Sequence, residues 1–128
     1  MASRLLVIDD EPSTLRSLRR LLQRRVPALD VQTCSDPTEA LSCIAAFRPH
    51  VVLIDFTMPK LPGDELCRAV LQEEYPWNPR VFGMSGQACE PVAQVFLAAG
   101  ADLFFRKPLD VSTLLQSIDQ VVSSSTMP

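Results

Sequence analysis

The strongest constraint on this chain is a repeated change of hydrophobic period. Five short apolar runs each give way to a stretch with helical spacing. Leu5-Leu6-Val7-Ile8, Val51-Val52-Leu53-Ile54 and Val81-Phe82-Gly83-Met84 are continuous runs, the pattern of strands buried on both faces. Leu29, Val31 and Thr33 alternate and predict a second strand, and Leu103-Phe104-Phe105 a fifth. Between them lie apolar stripes at helical spacing. Leu15, Leu18, Leu21 and Leu22 follow Pro12, with Arg16, Arg19, Arg20 and Arg24 on the opposite, solvated face. Ala40, Leu41, Ile44 and Ala45 form the next stripe, which Pro49 ends. Leu66, Ala69 and Val70 begin a third helix after a loop of Pro59, Pro62 and Gly63. Val92, Val95, Phe96 and Ala99 make a fourth, with Gly100 placed as its stop. Val111, Leu114, Leu115, Ile118 and Val122 make the last, with Asp110 as its cap. Asp36-Pro37-Thr38-Glu39 predicts the start of the second helix: Asp36 caps, Pro37 takes the first helical position and Glu39 stands at the capping-box site.

Strand and helix alternating five times imply a parallel sheet with helices on both faces. The chain is thus expected to be an α/β, doubly wound, five-stranded parallel sheet with five helices. Its 128 residues suit one domain, expected over residues 1–122, with a polar tail over 123–128. A net charge of −3 argues against a nucleic-acid-binding surface. No apolar run approaches the roughly 20 residues of a membrane span, and residues 1–4 leading straight into Leu5 are not expected to act as an export signal. Cys34, Cys43, Cys67 and Cys89 are scattered without a paired motif, and His50 has no cysteine near it in the sequence. A zinc site is therefore not expected, and the cysteines read as packing residues in a reducing, cytoplasmic setting. Trp77, between Pro76 and Pro79, precedes the fourth strand and is expected at the amino-end edge of the sheet.

In such sheets ligands bind beyond the carboxyl ends of the strands, near the switch in strand order. The residues there are Asp9 and Asp10 after the first strand, Asp55 after the third, Ser85 after the fourth and Lys107 after the fifth. Clustered carboxylates repel one another unless one stays protonated or a cation joins them. A hard divalent ion with oxygen ligands meets that need, and Mg²⁺ suits one or two carboxylates plus waters and a phosphate. A carboxylate nucleophile, a divalent metal, a lysine and a hydroxyl together describe phosphoryl transfer to aspartate.

These residues carry a family resemblance. Leu6-Val7-Ile8-Asp9-Asp10-Glu11 resembles the acidic first loop of response-regulator receiver domains. Asp55-Phe56-Thr57-Met58-Pro59-Lys60-Leu61-Pro62-Gly63 is similar to that family's phosphoacceptor loop. Met84-Ser85-Gly86 matches its Thr/Ser switch position and Lys107-Pro108 its Lys-Pro pair. The resemblance covers roughly residues 3–122. It implies a flavodoxin-like (βα)5 fold with strand order 2-1-3-4-5 and a role in bacterial two-component or phosphorelay signalling. Asp55 is then the phosphoacceptor, with Lys107 and Ser85 touching the phosphoryl group. Mg²⁺ (or Mn²⁺) is held by Asp10 directly, Asp9 through water, Asp55 and the backbone carbonyl of Thr57. Ser85 and Phe104 form the switch pair, and the bond before Pro108 is cis. The implied partners are a sensor histidine kinase or phosphotransfer protein, a downstream target or output domain, and a second copy through the face of helix 4, strand 5 and helix 5. The only chemistry implied is self-phosphorylation from a donor and self-dephosphorylation.

Other readings stand beside this one. Asp9-Asp10 could simply cap the first helix, and Phe104 could be plain core. An Asp-nucleophile, Mg²⁺-dependent phosphatase uses the same residue types, but that class has a second Asp two residues after the nucleophile, where this chain has Thr57. A degenerate receiver would act only as a protein-interaction module. Several positions depart from the family's commoner pattern: Gly86 in place of Ala, aromatic Phe56 after the acceptor, and Phe104 without a Tyr hydroxyl. Thr57 and Gln87 occupy positions that tune phosphoryl lifetime in the family.

Overall fold

The computed structural model describes residues 3–86 and 90–124. The elements run β1 (Arg4–Ile8), α1 (Pro12–Arg25), β2 (Asp30–Cys34), a single 3₁₀ turn (Pro37–Glu39), α2 (Ala40–Phe47), β3 (Val51–Asp55), α3 (Gly63–Gln72), β4 (Arg80–Ser85), α4 (Glu90–Ala98), β5 (Leu103–Arg106) and α5 (Val111–Ser124). All strand pairs are parallel, and their spatial order is β2-β1-β3-β4-β5. This is the doubly wound, flavodoxin-like arrangement, and its switch point lies between β1 and β3.

Alternation along the strands explains the two cores. Leu6, Ile8, Val52, Ile54 and Val81 face one way and pack with Ile44, Leu66, Cys67, Val70 and Phe96 from α2, α3 and α4. Leu5, Val7, Val51, Leu53, Phe82 and Met84 face the other way onto Leu15, Leu18 and Leu22 of α1 and Leu114 and Ile118 of α5. Strands apolar on every residue have no polar face to give to water, so helices must cover both sides. The arginines at 16, 19, 20 and 24 lie on the exposed face of α1.

Several local expectations shift. Asp36 does cap, accepting from the Thr38 N–H at 3.0 Å, but it opens the 3₁₀ turn rather than an α-helix. The α-helix begins only at Ala40, and Glu39 is exposed rather than bonded back as a capping box. The tighter turn uses up the first residues of the predicted helix. Gly63, assigned above to the loop, is the first residue of α3. The second strand starts at Asp30, leaving Leu29 as a buried residue ahead of it. The final helix continues through Ser124, two residues beyond the expected domain end, and residues 125–128 of the expected tail lie outside the described residues.

Asp110 caps α5 as expected, accepting from the Thr113 N–H at 3.3 Å. Cys34, Cys43 and Cys67 are free, and burial pushes the Cys34 and Cys67 thiols up to about 11, as befits packing residues. Cys89 lies outside the described residues. Trp77 sits at the amino-end edge: its Nε1 donates to the Pro49 carbonyl at 2.8 Å, and the Arg48 guanidinium lies 5.0 Å from its ring centre. His50 is at the same edge, where its Nδ1 accepts from the Arg4 N–H at 3.0 Å.

Gly100 stops α4 through a paired bonding pattern. Its N–H donates to Leu97 O at 3.0 Å, and the Ala101 N–H donates to Phe96 O at 3.2 Å. This is the Schellman geometry, which requires a left-handed residue, and Gly100 has φ of 109°. A Cβ there would also stand 2.5 Å from Leu71 Cδ1. Gly100→Ala is therefore expected to lower stability by about 1–3 kcal/mol, read as a lower urea midpoint at unchanged slope.

Candidate phosphoacceptor site

Parallel strands that end together deliver their last residues to one edge. Asp55 closes β3 and Ser85 closes β4, while Asp9 and Asp10 directly follow β1 and Lys107 follows β5. Backbone bonds fix each position. The Asp9 N–H donates to Cys34 O at 3.2 Å, the Phe56 N–H to Met84 O at 2.8 Å and the Lys107 N–H to Ser85 O at 2.9 Å. The Lys107–Pro108 peptide is cis.

Asp9, Asp55 and Ser85 are the buried polar or charged residues among those described. Lys107 joins the two acids. Its Nζ lies 2.9 Å from Asp9 Oδ2 and 3.3 Å from Asp55 Oδ2. The other oxygens are held locally: the Glu11 N–H donates to Asp9 Oδ1 at 3.1 Å and the Thr57 N–H reaches Asp55 Oδ1 at 3.4 Å. The Glu11 bond shows that Asp9 is tied to the start of α1, although neither Asp9 nor Asp10 is the cap residue, which is Glu11.

One ammonium does not neutralise three carboxylates. Oxygens of Asp9, Asp10 and Asp55 all lie within 4.8 Å of one another. Burial, then the charge of Asp9, push the Asp55 carboxyl up to about 6, although Lys107 pulls the other way. Burial also raises Asp10, with Asp9 and Glu11 adding to the effect. Burial depresses the Lys107 ammonium, but its contacts with Asp9 and Asp55 outweigh that and leave it above its ordinary value. Asp10, Glu11, Asp55, Thr57, Pro59, Gly86 and Lys107 line an open cavity of about 360 Å³ over this cluster. An all-oxygen acidic set with surplus negative charge fits a hard divalent cation.

The structure thus brings Asp9, Asp10, Asp55 and Lys107 together and puts Thr57 on the same cavity. Ser85 is buried at the neighbouring strand end. Phe104 is half-buried on β5 and packs on Phe96, with ring centres 5.9 Å apart, so it has neither the full burial of core nor full exposure. Gln87 lies outside the described residues. Glu11, Pro59 and Gly86 also line the cavity; the sequence reading quotes them within its motifs but gives them no part in binding. Adjacency to Asp10 and Ser85, and a place in the loop after Asp55, were the available signals.

Fold and site together define a flavodoxin-like α/β domain with an acidic pocket and a lysine at its switch point. The family model of the response regulator receiver domain matches residues 5–119. The response regulator MprA of Mycolicibacterium vanbaalenii is 34% identical over 126 residues, covering 98% of this chain and 53% of that protein. The signal receiver domain of a DNA-binding response regulator from Colwellia psychrerythraea 34H is 25% identical with a TM-score of 0.86, over 94% of this chain and 98% of that one. The BeF3-activated DrrB receiver domain is also 25% identical, with a TM-score of 0.81 over 96% and 99% of the two chains. The chain belongs to the response regulator receiver domain family. It spans about half the length of the curated relatives it matches. Among the described residues no helix is long and apolar enough to cross a membrane.

The raised Asp55 carboxyl has a consequence for stability. Because its folded value lies above the ordinary 3.8, ionisation costs the folded state free energy at neutral pH, and that cost fades as pH falls through about 6. In EDTA at pH 7, Asp55→Asn is expected to be more stable than wild type by about 1–3 kcal/mol. The advantage should shrink steadily between pH 7 and pH 5 in urea titrations. An advantage independent of pH would mean that Asp55 ionisation is not its source.

Proposed function

We propose that Asp55 accepts a phosphoryl group from a phosphohistidine on a sensor kinase or phosphotransfer protein, in a Mg²⁺-dependent reaction that switches a protein-binding face. The observation that carries this reading is the single ammonium of Lys107 shared between Asp9 and Asp55 beneath an open acidic cavity. An Asp55 carboxylate oxygen would attack phosphorus. The phosphorus–nitrogen bond would break, and its electron pair would stay on the imidazole of the donor. Lys107 would balance charge on a phosphoryl oxygen, and the Ser85 hydroxyl would donate to another. Asp10, Asp55 and the Thr57 carbonyl would hold Mg²⁺ (or Mn²⁺), with Asp9, paired to Lys107, acting through water. When bound, the ion supplies charge neutralisation for the carboxylates and the transferring group.

Receiver domains are signalling modules, and this one is read as turning over no external substrate beyond its own phosphorylation and dephosphorylation. Thr57 carries no readily titrated proton, which disfavours the phosphatase reading. The switch would run through Ser85 and Phe104. Val95, Leu97 and Leu103 are exposed apolar residues on α4 and β5, which suits a downstream target or a second copy on the α4-β5-α5 face. In a longer protein an output domain would follow. That a receiver domain of similar fold is described as BeF3-activated supports the reading that this domain, too, takes a phosphoryl group.

Two measurements test the reading. Incubated with acetyl phosphate and Mg²⁺, wild type should gain the mass of one phosphoryl group. Neither Asp55→Asn nor wild type in EDTA should gain it, and equal labelling of Asp55→Asn would refute the assignment. Ser85→Ala should retain much of the labelling while losing most of the amide shifts that beryllofluoride induces on β5.

A further inference from the structure

Three aromatic rings stand in a row from the acceptor strand to the fifth strand. Phe56 directly follows Asp55, and its ring centre lies 5.5 Å from that of Phe96 on α4. Phe96 in turn lies 5.9 Å from Phe104. The middle ring is fully buried, while the two outer ones are half-buried. Two glycines make its seat. A Cβ at Gly83, on β4 two residues before Ser85, would come within 2.7 Å of the Phe96 ring. A Cβ at Gly63 would come within 2.9 Å of the far end of that ring and 2.8 Å of the Phe56 Cα, and would also meet the Asp55 carbonyl oxygen. The Gly63 N–H closes the acceptor loop by donating to Phe56 O at 3.0 Å.

The Phe96 ring is therefore packed against the main chain of the acceptor loop and of β4, with no side chain between. Interiors packed to this density do not deform continuously, so a shift of the loop displaces a ring that has no slack. We propose that Phe96 is a positioning residue that couples the loop after Asp55 to Phe104 through direct ring contact, acting jointly with the Ser85 hydroxyl so that the response of β5 needs both. This rests on the phosphoacceptor reading above. Phe104 has no hydroxyl of its own, so contact with a neighbouring ring is the means by which it senses the site.

The test separates coupling from packing. Phe96→Leu keeps an apolar side chain but removes the ring. Gly83→Val with Phe96→Ala refills part of the space from the β4 side, because the Cβ at 83 lies against the Cγ end of the ring it replaces. The double variant should melt above Phe96→Ala alone, which reports that packing has been restored in part. Backbone 13Cα shifts, which respond little to ring currents, would be recorded with and without beryllofluoride and Mg²⁺. Wild type should respond at residues 55–57 and at 103–105. Both variants should keep the response at 55–57 and lose more than half of that at 103–105. A full response at 103–105 in either variant overturns the role of Phe96. No response at 55–57 in wild type would instead sink the phosphoacceptor reading, and the proposal with it.

Discussion

The contact on which the site depends is the Lys107 ammonium held between the carboxylates of Asp9 and Asp55, at 2.9 and 3.3 Å. Those acids belong to β1 and β3, the neighbours at which strand order reverses, while the lysine comes from beyond β5 at the sheet edge. The side chain reaches the centre because Lys107 leaves the sheet on a bond to the Ser85 carbonyl and is turned inward there. A buried acid pair without this cation would face its full desolvation penalty unrelieved. With it, the penalty is only partly offset, and the raised Asp55 carboxyl is what remains. The pocket is thus stable enough to fold yet still electrostatically unsatisfied, the condition that favours a divalent cation.

Around that centre the fold supplies rigidity and one place of close fit. Both faces of the sheet are sealed by helices, so the strand ends cannot slide relative to one another without disturbing two cores. On the α4 side the seal is a ring laid over two glycines, which lets the Phe96 side chain lie closer to the main chain of β4 and of the start of α3 than any larger residue would permit. On the other side Leu15, Leu18 and Leu22 of α1 and Leu114 and Ile118 of α5 form an aliphatic core with no comparable glycine seat. This asymmetry gives the two faces different mechanical relations to Asp55.

Much of the site was legible because it is built from strand ends. Asp9, Asp10, Asp55, Ser85 and Lys107 each follow an apolar run, and parallel strands place such residues together whatever the loops do. The local errors each have a physical cause. The 3₁₀ turn at Pro37–Glu39 displaced a predicted capping box because side-chain capping of Asp36 onto Thr38 is compatible with either helix type. Gly63 read as a loop residue because glycine is a poor helix former, yet it opens α3, where its missing Cβ matters more than its propensity.

From the sequence alone came the order of elements, the two-sided burial of the strands and the identity of the charged residues at their carboxyl ends. These follow from hydrophobic period and chain direction, which are local properties. Only the tertiary structure decided that Lys107 bonds both Asp9 and Asp55 rather than one, that Asp9 is buried while Asp10 faces the cavity, and that Phe96 bridges Phe56 and Phe104. Each of these depends on distances between residues far apart in the chain, set by sheet twist, strand register and the space two glycines leave open. Pattern within a segment carries no record of such distances.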